Sequence, residues 1–426
     1  MNIQEFISYA KEQEFTNIQI IEETSNEIEV SYIDDKLENN NSSYNNSYSI
    51  KAEKNNKTVK MNTDYLDKSI VDYLLLKIDN EDSNYEDEYL TDSTNNNNLS
   101  VNKVEIGSHL DMLKDVYKYK EKYTNIKSIQ TDLYGSADKK RIVNSNSVDM
   151  STVNESYNFY CEVLVEEGDK LVSHSNSSLK TKIKDIDIEK LVEQTIEEAE
   201  LMINKKELKT GKYNIVLSSS VAGSILSKIM SGIHANAIRE KTSIYVDKKD
   251  KNIANNKITI IEDPRNDKYP GVELFDNDGI QTTKKNIVEK GILKTYLYNI
   301  KEAKLANTTS TGNAFDGIGT RNMYITPGDK TKEELFKTMK DGLYITDYMG
   351  SSGTSVNVST GSISLQIFGF VIEDGKMKCG FEPCVMTTTF NELLHSVEEV
   401  GEDLEFYNFS SASPELYIKN ISVAGK

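Results

Sequence analysis

The stretch Asn286-Ile287-Val288-Glu289-Lys290-Gly291-Ile292-Leu293-Lys294-Thr295-Tyr296-Leu297-Tyr298 sets two apolar, β-branched runs on either side of Glu-Lys-Gly. Gly tolerates the positive φ that a tight reversal needs, so this stretch predicts a β-hairpin. Just upstream, Asn277-Asp278-Gly279 separates two further strand-like runs, and downstream Glu373-Asp374-Gly375 follows the strand-like run Leu365–Ile372. Consecutive hairpins imply antiparallel pairing. The half of the chain that holds them therefore predicts a large antiparallel sheet or barrel with a few helices, introduced by the strand-like run Tyr213–Leu217 and an amphipathic helix over Val221–Arg239.

Working back toward the N-terminus, the texture changes. Asn2–Gln13 carries Ile3, Phe6, Ile7 and Ala10 at helical spacing, and Ile28–Ile33 alternates as a half-buried strand does. Asp64–Ile78 predicts a helix with Leu66, Ile70, Tyr73 and Leu74 on one face. The Asn/Ser/Tyr-rich tract Asn39–Asn46 and the tract Thr94–Asn98 predict loops. Strand signals return from Ile126 to Val165, and Asp187–Met202 predicts a helix with Ile188, Leu191, Val192, Ile196 and Ala199 on its buried face. The expected class is α+β. An N-terminal α/β domain, residues 1–207, precedes a larger C-terminal antiparallel β-rich, barrel-like domain, residues 208–426.

Composition excludes several functions. The net charge is −18, from 50 basic and 68 acidic side chains, with no basic stripe to meet a phosphate backbone, so no nucleic-acid partner is expected. Met1–Phe6 lacks the basic and apolar regions of a secretory signal, and no apolar run nears the roughly 18 residues of a membrane span. Three cysteines are too few and too odd for a disulfide framework, which suits a reducing cytoplasm.

The four histidines are His109, His174, His234 and His395, and none is followed by Glu. A helical zinc site needs two imidazoles about one turn apart with a carboxylate, so this chain is expected to hold no metal and no cofactor of its own. His234 falls at the edge of the apolar face of the Val221–Arg239 helix, where it either packs at a boundary or meets a substrate or partner. Cys379 and Cys384 have the wrong gap for a zinc knuckle, and Cys161 sits in a strand run as a small core residue. Gly350-Ser351-Ser352-Gly353 lacks the spacing of a nucleophile elbow, and Gly317-Ile318-Gly319 lacks a third Gly at dinucleotide-binding spacing. No catalytic residue is expected on the residues alone.

The motif blocks, taken in order, resemble the TldD/PmbA peptidase family on its PmbA (TldE) branch. Leu274–Gly279 followed by Gly291–Leu297 is similar to that family's "FDxEG…GVLxxYL" hairpins. Thr309–Ala314 resembles its "STGNA" segment, Asn322–Gly328 its "NLxLxPG" strand and turn, and Asp341–Thr346 its "DGLLVT". Thr360–Gly375 resembles "TGDYSxGASGxWIENGE" without the Trp, and the closing strand also fits. The resemblance covers the chain from Gly211 onward and, more loosely, the N-terminal half. It implies a subunit of a zinc metallopeptidase complex that degrades or matures unfolded or leader peptides. A TldD-like partner would supply zinc and general base, while this chain helps to hold an extended peptide; a homodimer, or a catalytically inactive peptide-binding oligomer, is the alternative. On the TldD branch a His-Glu-x-x-x-His motif occupies the helix equivalent to Val221–Arg239; counted back from Thr242-Ser243, those positions fall here on Leu226, Ser227 and Ser231. The segment Ser310, Thr311, Gly312 and Asn313 is expected near the substrate path or interface, or else as a tight turn that needs Gly312 and Asn313.

Overall fold

The computed structural model describes residues 1–80, 104, 109–350 and 355–426, and of His109, Asp111 and Met112 the backbone only. The expected loop Thr94–Asn98, the stretch Ser351-Ser352-Gly353 and the His109 side chain lie outside the described residues.

The N-terminal half is built on one six-stranded sheet. Its spatial order is Lys57–Thr63, Lys36–Lys54, Asn17–Ile33, Ile126–Asn144, Asp149–Glu167 and Lys170–Lys180, with every neighbour antiparallel. Four of these strands run to 17 or 19 residues, long enough to carry two separate helical layers. At one end helices Ile3–Glu12 and Lys68–Asp79 bury Phe6, Ile7, Ala10, Ile70 and Leu74 against Ile18, Ile20, Ile50 and Ala52. At the other, helix Ile188–Met202 buries Val192, Ile196 and Ala199 against Leu133, Phe159, Cys161 and Val163. Each helix begins where a side chain caps it: Asn2 and Glu5 form a capping box, and Asp67 and Asp187 accept from the N–H of Ile70 and Lys190. Tyr73, expected on the buried face of its helix, is 48% exposed.

The tract Asn39–Asn46 is a strand, not a loop. It pairs residue for residue with Thr24–Ser31, and the contacts are polar: Thr24 Oγ1 donates to Asn46 Oδ1 at 3.0 Å and Ser43 Oγ to Glu27 at 2.9 Å. Asn and Ser are poor strand formers by propensity, but propensity yields to an available cross-strand partner.

In the C-terminal half, five strands close on themselves. Gly342–Met349, Gly211–Leu217, Leu416–Ala424, Cys384–Thr389 and Ser362–Glu373 pair in that order, and Ser362–Glu373 pairs back onto Gly342–Met349. The barrel expected from the hairpins is therefore present, with one difference: Gly342–Met349 runs parallel to Gly211–Leu217. A parallel neighbour requires a long crossover, and the chain between these strands supplies a helix and most of a second sheet. That second sheet has six short strands centred on Ile260–Glu262 and Met323–Ile325.

Two of the three expected turns are hairpins with both central residues at positive φ. They are Lys290 and Gly291 (46° and 78°), and Asp374 and Gly375 (50° and 72°). The third, Asn277-Asp278-Gly279, joins no strand pair: an isolated bridge between Phe275 and Gln281 flanks it, and the Gly279 N–H donates to Asp276 O at 3.0 Å.

The expected helix over Val221–Arg239 is broken. An α-helix covers Ser219–Met230, a 3₁₀ turn covers Ser231–Ile233, and a second short helix covers Ala235–Arg239, with His234 extended between them (φ −65°, ψ 133°). The break lies where the backbone passes close to its surroundings. A Cβ on Gly232 would lie 2.9 Å from Ser243 Oγ and from the Tyr245 ring, and 3.0 Å from Val358. His234 is therefore a hinge residue between two helices, not a position on the apolar edge of one.

Candidate functional site

The segment Ser310–Asn313 lies beside a buried polar cluster whose charged members sit on other elements. Glu262, at the end of its strand, is fully buried. Its carboxylate accepts from Lys285 Nζ at 2.7 Å, from Asn313 Nδ2 at 2.9 and 3.0 Å, and from the Arg321 backbone N–H at 3.0 Å. Asn313, also fully buried, accepts at Oδ1 from Lys285 Nζ (3.1 Å) and Thr311 Oγ1 (2.7 Å), and donates to Gly319 O (2.8 Å). A buried charge is tolerated when it is paired and its remaining lone pairs are satisfied, as they are here.

Gly312 takes φ 71°, and a Cβ there would lie 3.0 Å from Gln281 O. Ser310 Oγ donates to Tyr298 O at 3.1 Å and is half-buried, facing an open depression also lined by Ile300 and Lys304. His234 joins the same framework through the backbone. Ile233 O and the Ala235 N–H bond to Leu297, and the next residue, Tyr298, donates its N–H to Thr311 Oγ1 at 2.8 Å. Burial pushes the His234 imidazole down to about 4, so it is neutral at pH 7.

Asp276 locks the expected hairpin segment onto Ser310–Asn313. Its Oδ2 accepts from Ala314 N–H at 2.9 Å and its Oδ1 from Asp278 and Ile280 N–H at 3.0 and 2.9 Å. Burial pushes its carboxyl up to about 7, and Asp278 adds to the rise; the Ala314 and Ile280 N–H groups and Lys140 oppose it. A carboxyl whose folded pKa exceeds its unfolded value of roughly 3.9 binds more protons in the folded state between those two values. Asp276 thus contributes stability below pH 4 that is lost as pH rises toward 7. Asp276→Asn is expected to flatten the fall of the thermal midpoint between pH 4 and 7, read by circular dichroism; an unchanged slope would assign that fall to other groups.

A cleft of about 420 Å³ opens where the polar face of the N-terminal sheet meets this cluster, with Ser25, Asn45, Asp138, Lys140, Glu273 and Arg321 in its walls. Lys140 spans the junction: its ammonium lies 3.5 Å from Glu273 and over the rings of Phe275 and Phe315. Gln19 Nε2 donates to Asn277 O at 2.9 Å across the same junction. A second polar cleft, of similar size, is lined by Glu198, Lys332 and Glu415. Burial raises the Glu198 carboxyl, but hydrogen bonds from His174 (2.9 Å) and Asn176 (2.8 Å) outweigh it and hold the group low.

Glu262, Lys285 and Arg321 were invisible to sequence reasoning. Glu262 ends an ordinary apolar run, and no local pattern separates Lys285 from the other 49 basic residues. Only the Thr311-Gly312-Asn313 end of the cluster lies in a legible motif.

The helix Ser219–Met230 carries no zinc donor set at the positions the family resemblance designates. Leu226 is buried in the core, Ser227 has no metal-binding group of the required kind, and Ser231 donates its hydroxyl to Lys228 O at 2.7 Å. Among the described residues no three His, Cys, Asp or Glu side chains gather as ligands. Zinc therefore does not fit these positions. The thiols are poor donors as well: burial pushes Cys161 up to about 12 and Cys384 up to about 11, and raises Cys379.

Comparison with known proteins agrees with this architecture. Residues 210–425 match a family model described as the PmbA/TldA metallopeptidase C-terminal domain, and residues 100–203 match the central domain of the same family. A metalloprotease PmbA homolog of Buchnera aphidicola subsp. Baizongia pistaciae is 26% identical over 272 residues, 63% of this chain and 59% of that one. A Haemophilus influenzae PmbA homolog is 29% identical over 206 residues, 48% of this chain and 44% of that one. A TldD homolog of Buchnera aphidicola subsp. Acyrthosiphon pisum is 24% identical over 297 residues, 65% and 61% of the two chains. The chain thus spans under two thirds of the length of these relatives. Among solved structures, a proposed modulator of a DNA gyrase from Thermotoga maritima superposes with TM-score 0.86 at 22% identity over 99% of both chains. TldE from Thermococcus kodakarensis does so with TM-score 0.83 at 18% identity, over 99% of this chain and all of that one. At such identities the superpositions establish the shared fold. The match to the C-terminal domain model alone takes in just over half of the 426 residues, and the chain belongs to the PmbA/TldD metallopeptidase family.

Proposed function

We propose that this chain is the PmbA/TldE-type subunit of a two-subunit cytoplasmic zinc metallopeptidase that degrades or matures unfolded or leader-bearing peptides. In this reading a TldD-like subunit supplies the zinc and the general base. What supports it is the donor-poor helix: Leu226, Ser227 and Ser231 stand at the positions that the resemblance, counted back from Thr242-Ser243, gives to the His-Glu-x-x-x-His of the TldD branch. The relatives named metalloprotease PmbA and TldD support the peptidase context. No described helix is long and apolar enough to cross a membrane. Long strands with open edges suit an extended peptide, which can add to a sheet through its backbone without regard to side-chain identity.

The test is zinc analysis by atomic emission and a peptidase assay on an unfolded substrate such as casein. Both are run on the chain alone and then with a TldD-like protein from the same organism. Less than about 0.1 zinc per chain, with activity appearing only in the mixture, is the expected outcome, since a structural or catalytic site needs a full ligand set. Stoichiometric zinc together with activity in the lone chain would overturn the assignment. Failure to form any complex would favour a peptide-binding homo-oligomer.

A further inference from the structure

We propose that the cleft between the polar face of the N-terminal sheet and the wall formed by Glu273 and Arg321 binds a zwitterionic di- or tripeptide. Lys140 and Arg321 hold its terminal carboxylate, and Asp138 and Glu27 its terminal ammonium. That the zwitterion is a peptide rests on the peptidase reading above; the two charged ends stand on geometry alone.

At the cationic end two side chains converge with donors to spare. Lys140 is 8% exposed. Among the described residues its ammonium has one hydrogen-bond acceptor, Glu273 at 3.5 Å, well beyond the roughly 2.7–2.9 Å of a close ionic hydrogen bond. The Arg321 guanidinium lies 4.4 Å from the centre of the Phe315 ring, and the Lys140 ammonium lies 5.5 Å from the same ring. Arg321 donates from Nη1 to Thr320 O at 3.1 Å, while its Nε stays 3.9 Å from Glu273. Most N–H donors of both groups therefore lack an acceptor among the described residues. Glu23, opposite Lys140 in the strand register, is exposed and forms no ion pair with it. A ligand carboxylate would give both cations the short, forked contacts that Glu273 does not.

The sign of the charge reverses along the same sheet face. Asp138 stands two residues from Lys140 and opposite Ser25, and Glu27 stands one row further on, opposite Ser136. Asp138 accepts from Ser136 Oγ at 2.7 Å, and Glu27 from Ser25 Oγ at 3.1 Å and Ser43 Oγ at 2.9 Å. Neither carboxylate has a cationic partner among the described residues. Burial pushes the Asp138 carboxyl up; its hydrogen bond from Ser136 opposes this, and the charges of Glu27 and Glu23 add to the rise. A ligand ammonium there would meet negative charge that the chain leaves uncompensated.

The spacing sets the length of the ligand. Residues on one face of a strand follow each other at about 7 Å, so the acidic rows lie about 7 and 14 Å from Lys140. An extended peptide spans at most about 3.3–3.6 Å per residue, so a dipeptide reaches the first row and a tripeptide lies between the two. A free amino acid is too short to join the ends. The cleft, about 420 Å³, falls within the roughly 300–1,000 Å³ usual for small ligands.

The test is isothermal titration calorimetry of the full chain, without any partner, using trialanine. A dissociation constant of the order of 1 mM is expected for so small a ligand. Trialanine amide and N-acetyl-trialanine, which each lose one terminal charge, should bind about tenfold more weakly or worse. Arg321→Gln should weaken trialanine by about tenfold but leave trialanine amide nearly unchanged, and Asp138→Asn should do the same with N-acetyl-trialanine as its indifferent ligand. The blocked peptides read both ends on the wild-type chain, even if a variant folds poorly. No binding of trialanine up to about 10 mM, ten times the expected constant, would overturn the proposal. So would blocked forms that bind as tightly as the free peptide. Trialanine binding beside a failed zinc and mixture assay would keep the site and remove the enzymatic role, while the reverse pattern would remove the site alone.

Discussion

Replacing Lys285 by Met is expected to destabilise the chain by about 3–5 kcal/mol, the usual consequence of leaving one member of a buried pair without its counter-charge. Glu262 is fully enclosed, and among the described residues Lys285 Nζ is its only cationic contact, at 2.7 Å, with the lysine side chain itself 13% exposed. Asn313 Nδ2 and the Arg321 N–H would remain as neutral donors, which cannot replace a full charge. The measurement is the urea midpoint by circular dichroism. Adding Glu262→Gln to Lys285→Met should recover a large part of the loss, because a neutral amide has little charge to desolvate and its oxygen can still accept from Arg321. A double variant as unstable as the single one would mean that packing, not charge, holds this cluster together.

Gly369→Ala is expected to cost about 2–6 kcal/mol, with about 1–3 from steric overlap and about 1–3 from an unfavourable backbone conformation. Gly369 takes φ 152°, and a Cβ there would fall 1.9 Å from Tyr344 O and 3.0 Å from Ile345 Cα. This is the seam at which Ser362–Glu373 meets Gly342–Met349, and the register shifts there between Ile345 and Asp347. A displaced strand at that point opens the ring of five. Gly211→Ala is the matching control, since the nearest atom to its Cβ is a Tyr213 ring carbon at 3.7 Å, ordinary contact. The variants are compared by soluble yield and thermal midpoint. Equal midpoints would show that the seam yields without loss.

Elements governed by neighbours in sequence are legible in the residues themselves. The helix Ile3–Glu12 combines apolar spacing with an Asn2–Glu5 capping box, and all four of its expected core residues are buried. The hairpins at Lys290-Gly291 and Asp374-Gly375 follow from turn chemistry that two residues carry alone. The ordered motif blocks point to the family, which the domain match establishes. Where the reading fails, the deciding partner is distant. Asn39–Asn46 has the composition of a loop and becomes a strand because Thr24–Ser31 offers it a ladder. The helix over Val221–Arg239 keeps its apolar spacing through Ile233, yet it breaks around Gly232, where the backbone passes close to Ser243, Tyr245 and Val358.

By itself, then, the sequence determined the α+β class, the tight turns, the helices that cap themselves, and the lack of paired imidazoles on the helix Ser219–Met230. Each of these depends on residue types and spacings within a few positions, where local sterics and hydrogen bonding dominate. Only the tertiary structure decided that Gly342–Met349 lies parallel to Gly211–Leu217, and that Glu262, Lys285 and Asn313 share one buried cluster. It alone left the strand edge at Asn39–Ser47 open along its outer side among the described residues. Those features arise from contacts between segments 20 to more than 100 residues apart in the chain. The free energy of such contacts comes from burial and cross-strand pairing, which no local pattern encodes.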